Sequence, residues 1–460
     1  MRNEGITLKQ AALWCGGRVA PEFAEITFCG ANFDTRRLKP GELFVAMLGA
    51  RDGHEFARGA IEKGAAAVLA SRELDADIPA IYVEDTERGL QALARGYRES
   101  LHIKCVGITG SVGKTTTKEM IAAVLSTTYR TEKTAENFNN GIGLPVTVLG
   151  IDRDCEAAVL EMGMNHAGEI SLLTQIARPD IAVISNVGTM HIENLGSREG
   201  ILRAKLEIME GLRPNGTAVF CGDCELLAAA ASEYHALTFG LGEHNAVHAE
   251  NIEAIDGGMR FSANAFGKRF SVSLPVEGEH NVSNALAAIT VGLLCDVPQE
   301  RIVRALADFH NTGMRQNAYD RDGLHILEDC YNAGPESMRA ALKVLSRAAG
   351  RKIAVLGGML ELGEYAPKAH YEVGTAAAQV ADEIFAYGAN SEQYIRGALA
   401  AGMSPDCAKT FETHEALTAA LKKAVQTGDT LLVKGSRGMR MERILQMLFN
   451  ESENGGNKHG

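Results

Sequence analysis

Residues 107–116 read Gly-Ile-Thr-Gly-Ser-Val-Gly-Lys-Thr-Thr, a glycine-rich turn that closes on a lysine and two hydroxyls. Such a stretch binds phosphate. Glycine lets the backbone wrap closely around an anion, and a helix beginning at the lysine offers unpaired N–H groups and the positive end of its dipole. On that pattern Gly110, Ser111, Val112, Gly113 and Thr116 line a triphosphate, Lys114 holds its β and γ groups, and the Thr115 hydroxyl ligates Mg2+. The strict motif has a glycine five residues before Gly113, where this chain has Ile108; Gly107 lies one position earlier. The flanks separate a nucleotide site from a plain turn. CVGI before it reads as a buried strand, and KTTTKEMIAAVLSTT after it as a helix with Met120, Ile121, Val124 and Leu125 on one face. No Asn-Lys-x-Asp guanine-reading sequence occurs, so ATP is favoured over GTP.

Three other residues have the chemistry to complete such a site. Glu161 ends the apolar strand AAVL, at the sheet edge where α/β proteins place reactive groups, and a carboxylate there can hold Mg2+ against the phosphates. The plainer alternative is a solvated strand end. His191 follows the strand IAVIS in the loop NVGTMHIENLGS; a lone histidine is more often a surface or hydrogen-bonding residue than a ligand. Lys205 is more informative. In SREGILRAKLEIMEGL, read as one helix, Ile201, Lys205, Ile208 and Leu212 share a face, so a lysine interrupts an apolar stripe. Either its stem packs on the core while the ammonium snorkels outward, or the buried amine takes up CO2 and becomes a carbamate, a second carboxylate-like metal ligand. At a pKa of ~10.4 only about 1 lysine in 2,500 is neutral at pH 7, but a burial shift of ~3 units raises that to roughly a quarter. The residues by themselves leave both readings open.

These groups need a scaffold, and 460 residues exceed one core and suggest about three domains. Residues 1–102 mix short strands and helices with Gly/Pro punctuation, such as Pro40-Gly41 before LFVAM, as a small α/β domain would. Residues 103–313 alternate apolar runs with helical segments, the mark of a central, parallel, doubly wound sheet of P-loop ATPase type. After the polar stretch TGMRQNAYDRDG a second series starts (LHILED, KIAVLGG, EIFAYG, TLLVKG), which predicts a smaller Rossmann-like domain over 314–450. The last ten residues, ESENGGNKHG, read as a disordered tail, 451–460. The expected class is therefore α/β in three domains.

A formal charge of −12 argues against nucleic-acid or membrane surfaces, which repel an acidic protein. No signal peptide and no run of ~18 apolar residues is found, and nine scattered cysteines suit reduced thiols, so a cytoplasmic protein is expected. Cys221 and Cys224 form one CxxC without the second pair that a structural zinc wants.

The motifs GITGSVGKTTTKE, ENFNNGIGLP, LEMGMNHAGEI, the His191 loop, AKLEI, GEHNVSNALAA, LEDCYNAGPESM and VKGSRGMRME together resemble the Mur ligases, in order and over nearly the whole chain. ENFNN, EDCYNAGPESM and DTRRLKPGELFVAMLGARDGHEF favour the branch that adds D-alanyl-D-alanine to a UDP-N-acetylmuramoyl-tripeptide over those adding one amino acid. The resemblance implies ATP and two Mg2+, one held by Thr115 and Glu161 and the second by Glu161, His191 and a carbamylated Lys205. It places Asn281 and Asn284 on the adenine side, and Arg315 and Asp329 where the third domain closes on ATP. It puts Asp34, Thr35 and Arg36 at the UDP-sugar, Asn139 and Asn140 near the incoming peptide, and Lys434, Ser436 and Arg437 facing the reactants. Lys114, Glu161, His191 and Lys205 are the implied catalytic set, in a monomer acting on small molecules. Cys330 and Gly334 depart from residues that related sequences often carry there.

The implied reaction passes the γ-phosphate of ATP to the tripeptide carboxylate, and the amine of D-alanyl-D-alanine then displaces phosphate. Rivals are another acid–amino-acid ligase, such as a folylpolyglutamate synthase, and a nucleotide-binding switch, which offers no reason for Lys205. His280 is expected to pack beside Asn281, Trp14 to lie in the core, and His370 at the surface or in a substrate lid.

Overall fold

The computed structural model describes residues 5–311 and 313–449; the expected tail lies outside them. Three sheets of five, nine and six strands dominate, with a two-stranded ribbon, Ile6–Thr7 against Thr27–Phe28. The expected α/β class holds.

The nine-stranded sheet positions the chemistry. Lys104–Thr109 lies between Ala157–Glu161 and Ile181–Ile184, all parallel, with Glu161 level with Ile108 and Ile184 level with Thr109. These strands are fully buried, which is why they read as unbroken apolar runs rather than alternating ones. Their carboxyl ends sit side by side, so the turn after Thr109, the Glu161 carboxyl and the loop after Ile184 meet at one edge of the sheet. Beyond Leu237–Gly240 the sheet continues as three strands over residues 247–274, the first parallel to Leu237–Gly240 and each next one antiparallel to the one before, a part the sequence reading did not foresee. Its signal is the alternating Arg260-Phe261-Ser262-Ala263-Asn264-Ala265, whose Phe and Ala residues are buried.

Helix Lys114–Ser126 packs Met120, Ile121, Val124 and Leu125 inward as expected. Helix Glu279–Leu294 lies against it; a side chain at Gly292 would meet Val124 Cγ1 at 2.6 Å, so glycine allows the close approach. The expected single helix around Lys205 is shorter. The α-helix covers Arg198–Leu206, capped by Ser197, and tightens into a 3-10 turn over Glu207–Gly211. Glu207 is drawn away to accept from the Gly168 and Ser171 N–H groups at 2.7 and 3.1 Å.

The six-stranded sheet over Asn317–Phe411 and Thr430–Lys434 has its own apolar core on each face. One face of the five-stranded sheet, by contrast, shares a continuous core with the nine-stranded one. Arg98, fully buried, stitches them by donating to the Ala177 and Arg178 carbonyls at 2.8 and 3.2 Å.

Candidate active site

The turn at 110–113 is shaped by its neighbour strand. The Ser111 and Val112 N–H groups both donate to Asn186 Oδ1 at 2.8 Å, and the Ser185 hydroxyl donates to the Val112 carbonyl at 2.9 Å. Gly110 is obligatory, because a Cβ there would fall 1.9 Å from Ser185 Oγ. These contacts fix the turn, and the anion-binding donors are left to the helix start. Gly113, at φ 80°, opens helix Lys114–Ser126 with no side-chain cap, so its first N–H groups remain available. Lys114 Nζ bridges the Gly110 and Ser111 carbonyls at 2.7 and 3.3 Å, and burial lowers its affinity for a proton.

Glu161 is held from three sides. Thr115 Oγ1 donates to its Oε2 at 2.9 Å, Asn139 Nδ2 donates to its Oε1 at 2.8 Å, and Lys118 Nζ lies 3.8 Å from Oε2. Lys118 is itself buried and donates to the Thr134 carbonyl at 2.6 Å, while Thr134 Oγ1 accepts from the Glu161 N–H. Lys205 is 1% exposed, and no hydrogen bond or ion pair engages its amino group. Burial pushes its proton affinity well down, and repulsion from Lys114 adds to that. A lysine so placed gives up its proton far more readily than a solvated one.

A cleft of about 520 Å³ gathers most of the expected residues. Ser111 to Thr116, Asn139, Asn140, Glu161, His191, Asn281, Asn284, Arg315, Asp329 and Lys434 all line it. Asn284 Oδ1 accepts from Thr117 Oγ1 at 3.0 Å and Asn281 Nδ2 donates to Gln316 Oε1 at 2.8 Å, which links the phosphate helix to the start of the C-terminal sheet. Arg315 stacks on Tyr331, its guanidinium carbon 3.6 Å from the ring centre. Lys434 and Asp329 are level on paired strands and form a 2.5 Å ion pair.

Other expected residues lie elsewhere. Gly110 and Lys205 do not line the cleft wall; the turn and the core claim them. Asp34, Thr35 and Arg36 form a separate turn of the N-terminal part, where the 2.7 Å pair to Arg36 drops the Asp34 carboxyl to about 2. Arg37, one residue on, reaches Glu136 at 2.9 Å, close to the Asn139 loop. Asn140, on the cleft wall, also accepts from the Gly143 N–H at 2.8 Å. Ser436 accepts from the Leu360 N–H and donates to the Ala333 carbonyl, and exposed Arg437 pairs with Glu442.

Sequence reasoning missed Asn186, Lys118, Tyr331, Gln316, Glu336 and Glu361. Asn186 and Lys118 each lie inside a stretch already singled out, but only the fold shows which atoms they serve. His280 does more than pack, since its Nε2 lies 2.7 Å from Gln316 Nε2 on the cleft wall. His370 is neither surface nor lid; it is wholly buried. Trp14 is half-buried beside Tyr97.

The family models match in three blocks: "Mur ligase family, catalytic domain" over 25–98, "Mur ligase middle domain" over 108–292, and "Mur ligase, glutamate ligase domain" over 314–437. The chain belongs to the Mur ligase family. A Mur ligase of Bacillus subtilis (strain 168), UDP-N-acetylmuramoyl-tripeptide–D-alanyl-D-alanine ligase, is 41% identical over 96% of this chain and 98% of its own. The crystal structure of MurF from Acinetobacter baumannii superposes with a TM-score of 0.90 at 32% identity, covering 98% of this chain and all of that one. The MurF ligase of Thermotoga maritima, solved in complex with ADP, gives 0.82 at 31% identity over 92% of this chain and 97% of its own. The Mur ligase blocks fall on the three large sheets in turn, and the cleft lies where the second meets the third.

Donor chemistry bears on which metal the site could take. Among the described residues no three His, Cys, Asp or Glu side chains converge as a closed cage. One carboxylate and one hydroxyl instead meet at the phosphate turn, a set that fits Mg2+, which keeps waters and phosphate oxygens as most of its ligands. No described helix is long and apolar enough to cross a membrane.

Proposed function

We propose that this Mur ligase joins D-alanyl-D-alanine to UDP-N-acetylmuramoyl-tripeptide with ATP, forming the pentapeptide precursor of peptidoglycan and releasing ADP and phosphate. The observation that carries the reading is the single cleft that sets the phosphate turn, Glu161 and the Arg315–Asp329–Lys434 group around one space. Likeness over nearly the full chain to relatives named for that reaction supports the choice of substrates.

The triphosphate lies along Gly113–Thr116, with Lys114 leaving its two carbonyls for phosphate oxygens. The base lies beside Asn281 and Asn284, and a second cavity of about 350 Å³ opens there past Gln316 and Asp329. Thr115 and Glu161 would hold one Mg2+; Glu161, His191 and a carbamylated Lys205 would hold another. The ions supply positive charge that offsets repulsion between a triphosphate and the acceptor carboxylate. Burial without a partner, which lowers the proton affinity of the Lys205 amine, supports the carbamate, since CO2 adds only to an unprotonated amine.

The tripeptide carboxylate attacks the γ-phosphorus and ADP departs. The dipeptide amine then attacks the acyl phosphate, and phosphate leaves as the amide forms. Lys114 and the first N–H groups of the helix stabilise charge on the transferring group. The C-terminal part covers the acyl phosphate and keeps water from it. Asp34, Thr35 and Arg36 hold the UDP-sugar, Asn139 and Asn140 border the peptide, and Lys434 faces the reactants from the cleft wall, with Ser436 and Arg437 following it in the chain. The cleft is assembled within one chain, and on this reading the protein acts on small molecules as a cytoplasmic monomer.

Purified protein with ATP, Mg2+, UDP-N-acetylmuramoyl-tripeptide and either D-alanyl-D-alanine or single amino acids tests this. Mass spectrometry is expected to find pentapeptide only with the dipeptide; phosphate release independent of the acceptor would overturn the reading.

A further inference from the structure

We propose that Glu336 is a positioning residue of the reaction: reaching from the C-terminal part, its carboxylate grips Thr189 and sets the 185–191 loop against the phosphate turn. The inference rests on the ATP-ligase reading of the cleft.

Glu336 is the second residue of helix Pro335–Arg347, where the helix dipole favours a negative charge. Its Oε1 accepts from the Thr189 N–H at 3.0 Å and from the Thr189 hydroxyl at 3.1 Å. The surroundings are cut to fit. A Cβ on Gly188 would lie 2.8 Å from the Glu336 carboxyl carbon, and one on Gly334 would lie 2.2 Å from Met190 Sδ. A side chain at 188 or 334 would therefore displace the Glu336 carboxylate or the Met190 thioether from its seat.

The gripped loop is the same one that shapes the phosphate turn. Its first part holds the turn through Ser185 and Asn186, and the Gly188 N–H donates to Ser111 Oγ at 2.9 Å. Its last residue, His191, sits at φ 63°, in the left-handed region that few non-glycine residues adopt. Its Nδ1 lies 2.7 Å from Glu361 Oε2, again from the C-terminal part. Glu336 thus stands between two halves that must both be in place for transfer. Without its grip, Thr189 loses its acceptor from the C-terminal helix, and the loop stays tied to the phosphate turn through Gly188 but no longer to helix Pro335–Arg347.

Hydrogen bonds to a charged group are strong enough that losing this set shifts domain docking by about ten-fold or more. The test compares the full chain with Glu336→Ala, Glu336→Gln and Thr189→Val by turnover, Michaelis constants, thermal melting and small-angle scattering with ADP and Mg2+. Expected for Glu336→Ala are a kcat lower by about ten-fold or more, an unchanged KM for the muramoyl substrate, an unchanged melting point and a more expanded particle. Glu336→Gln retains one acceptor oxygen and falls between, and Thr189→Val added to Glu336→Ala costs nothing further. A Glu336→Ala protein that contracts like the unaltered one and keeps kcat within about two-fold overturns the proposal. Failure of the unaltered protein to bind nucleotide would remove the ligase reading and this proposal with it, whereas normal binding with unchanged docking removes this proposal alone.

Discussion

The Thr115 hydroxyl donates to Glu161 Oε2 across 2.9 Å, joining the phosphate turn to the end of the neighbouring strand. With its proton committed to the carboxylate, the threonine oxygen turns its lone pairs away from Glu161, toward the cleft where a cation would sit.

Glu161→Gln keeps the shape of that contact and removes the charge. Turnover is expected to fall by on the order of 100-fold or more, as when a preorganised electrostatic group is deleted. The magnesium concentration needed for half-maximal rate is expected to rise. A magnesium titration of acceptor-dependent phosphate release checks both; an unchanged magnesium requirement would place the ion elsewhere.

Lys114→Ala is expected to abolish ATP consumption while leaving the fold intact. In the protein the ammonium is satisfied only by two carbonyls of its own turn, and burial already works against its charge. Removing it therefore costs little stability. Circular dichroism and melting should match the parent, and calorimetric ATP binding should vanish.

The phosphate turn, the three parallel strands around it and Glu161 were legible in the sequence because each is local: a glycine pattern, an apolar run, a carboxylate at a strand end. Lys205 on an apolar face was legible as a conflict, and its burial argues against an ammonium that snorkels to solvent. What could not be read was the partner of each residue. Asn186 serves Ser111 and Val112, 75 and 74 positions back, and Glu336 serves Thr189, 147 positions away. Such pairs follow from strand order, which periodicity does not encode. The break at Glu207 had the same origin, since two distant N–H groups recruit its carboxylate. Ser436 and Arg437, placed by resemblance, illustrate the opposite limit: one is tied to backbone and the other points to a surface partner.

Lys205→Ala is expected to lose most activity yet fold normally, and added bicarbonate should not restore it. Lys205→Met should melt at or above the parent temperature, because it removes a buried group with no partner. Intact-mass measurement under CO2 should show a labile carbamate in the parent and none in Lys205→Met. Near-normal turnover of Lys205→Ala would remove the lysine from the metal site.

His370 predicts how stability varies with pH. Its Nε2 accepts from the Met359 N–H at 2.9 Å and its Nδ1 donates to the Ala366 carbonyl at 2.7 Å, so the ring is fully used as a neutral group. Burial lowers its folded pKa below the unfolded value of ~6.5. Above that value both states are neutral, and the stability is complete. As pH falls through 6.5 the unfolded chain gains a proton that the folded one refuses, so stability declines until the folded pKa is reached, by at most about 1.4 kcal/mol per pH unit. His370→Gln, whose amide can accept from Met359 and donate to Ala366, should lose part of that slope. Urea midpoints from pH 8 to pH 5 measure it, and parallel curves for the two proteins would mean that other groups carry the acid sensitivity.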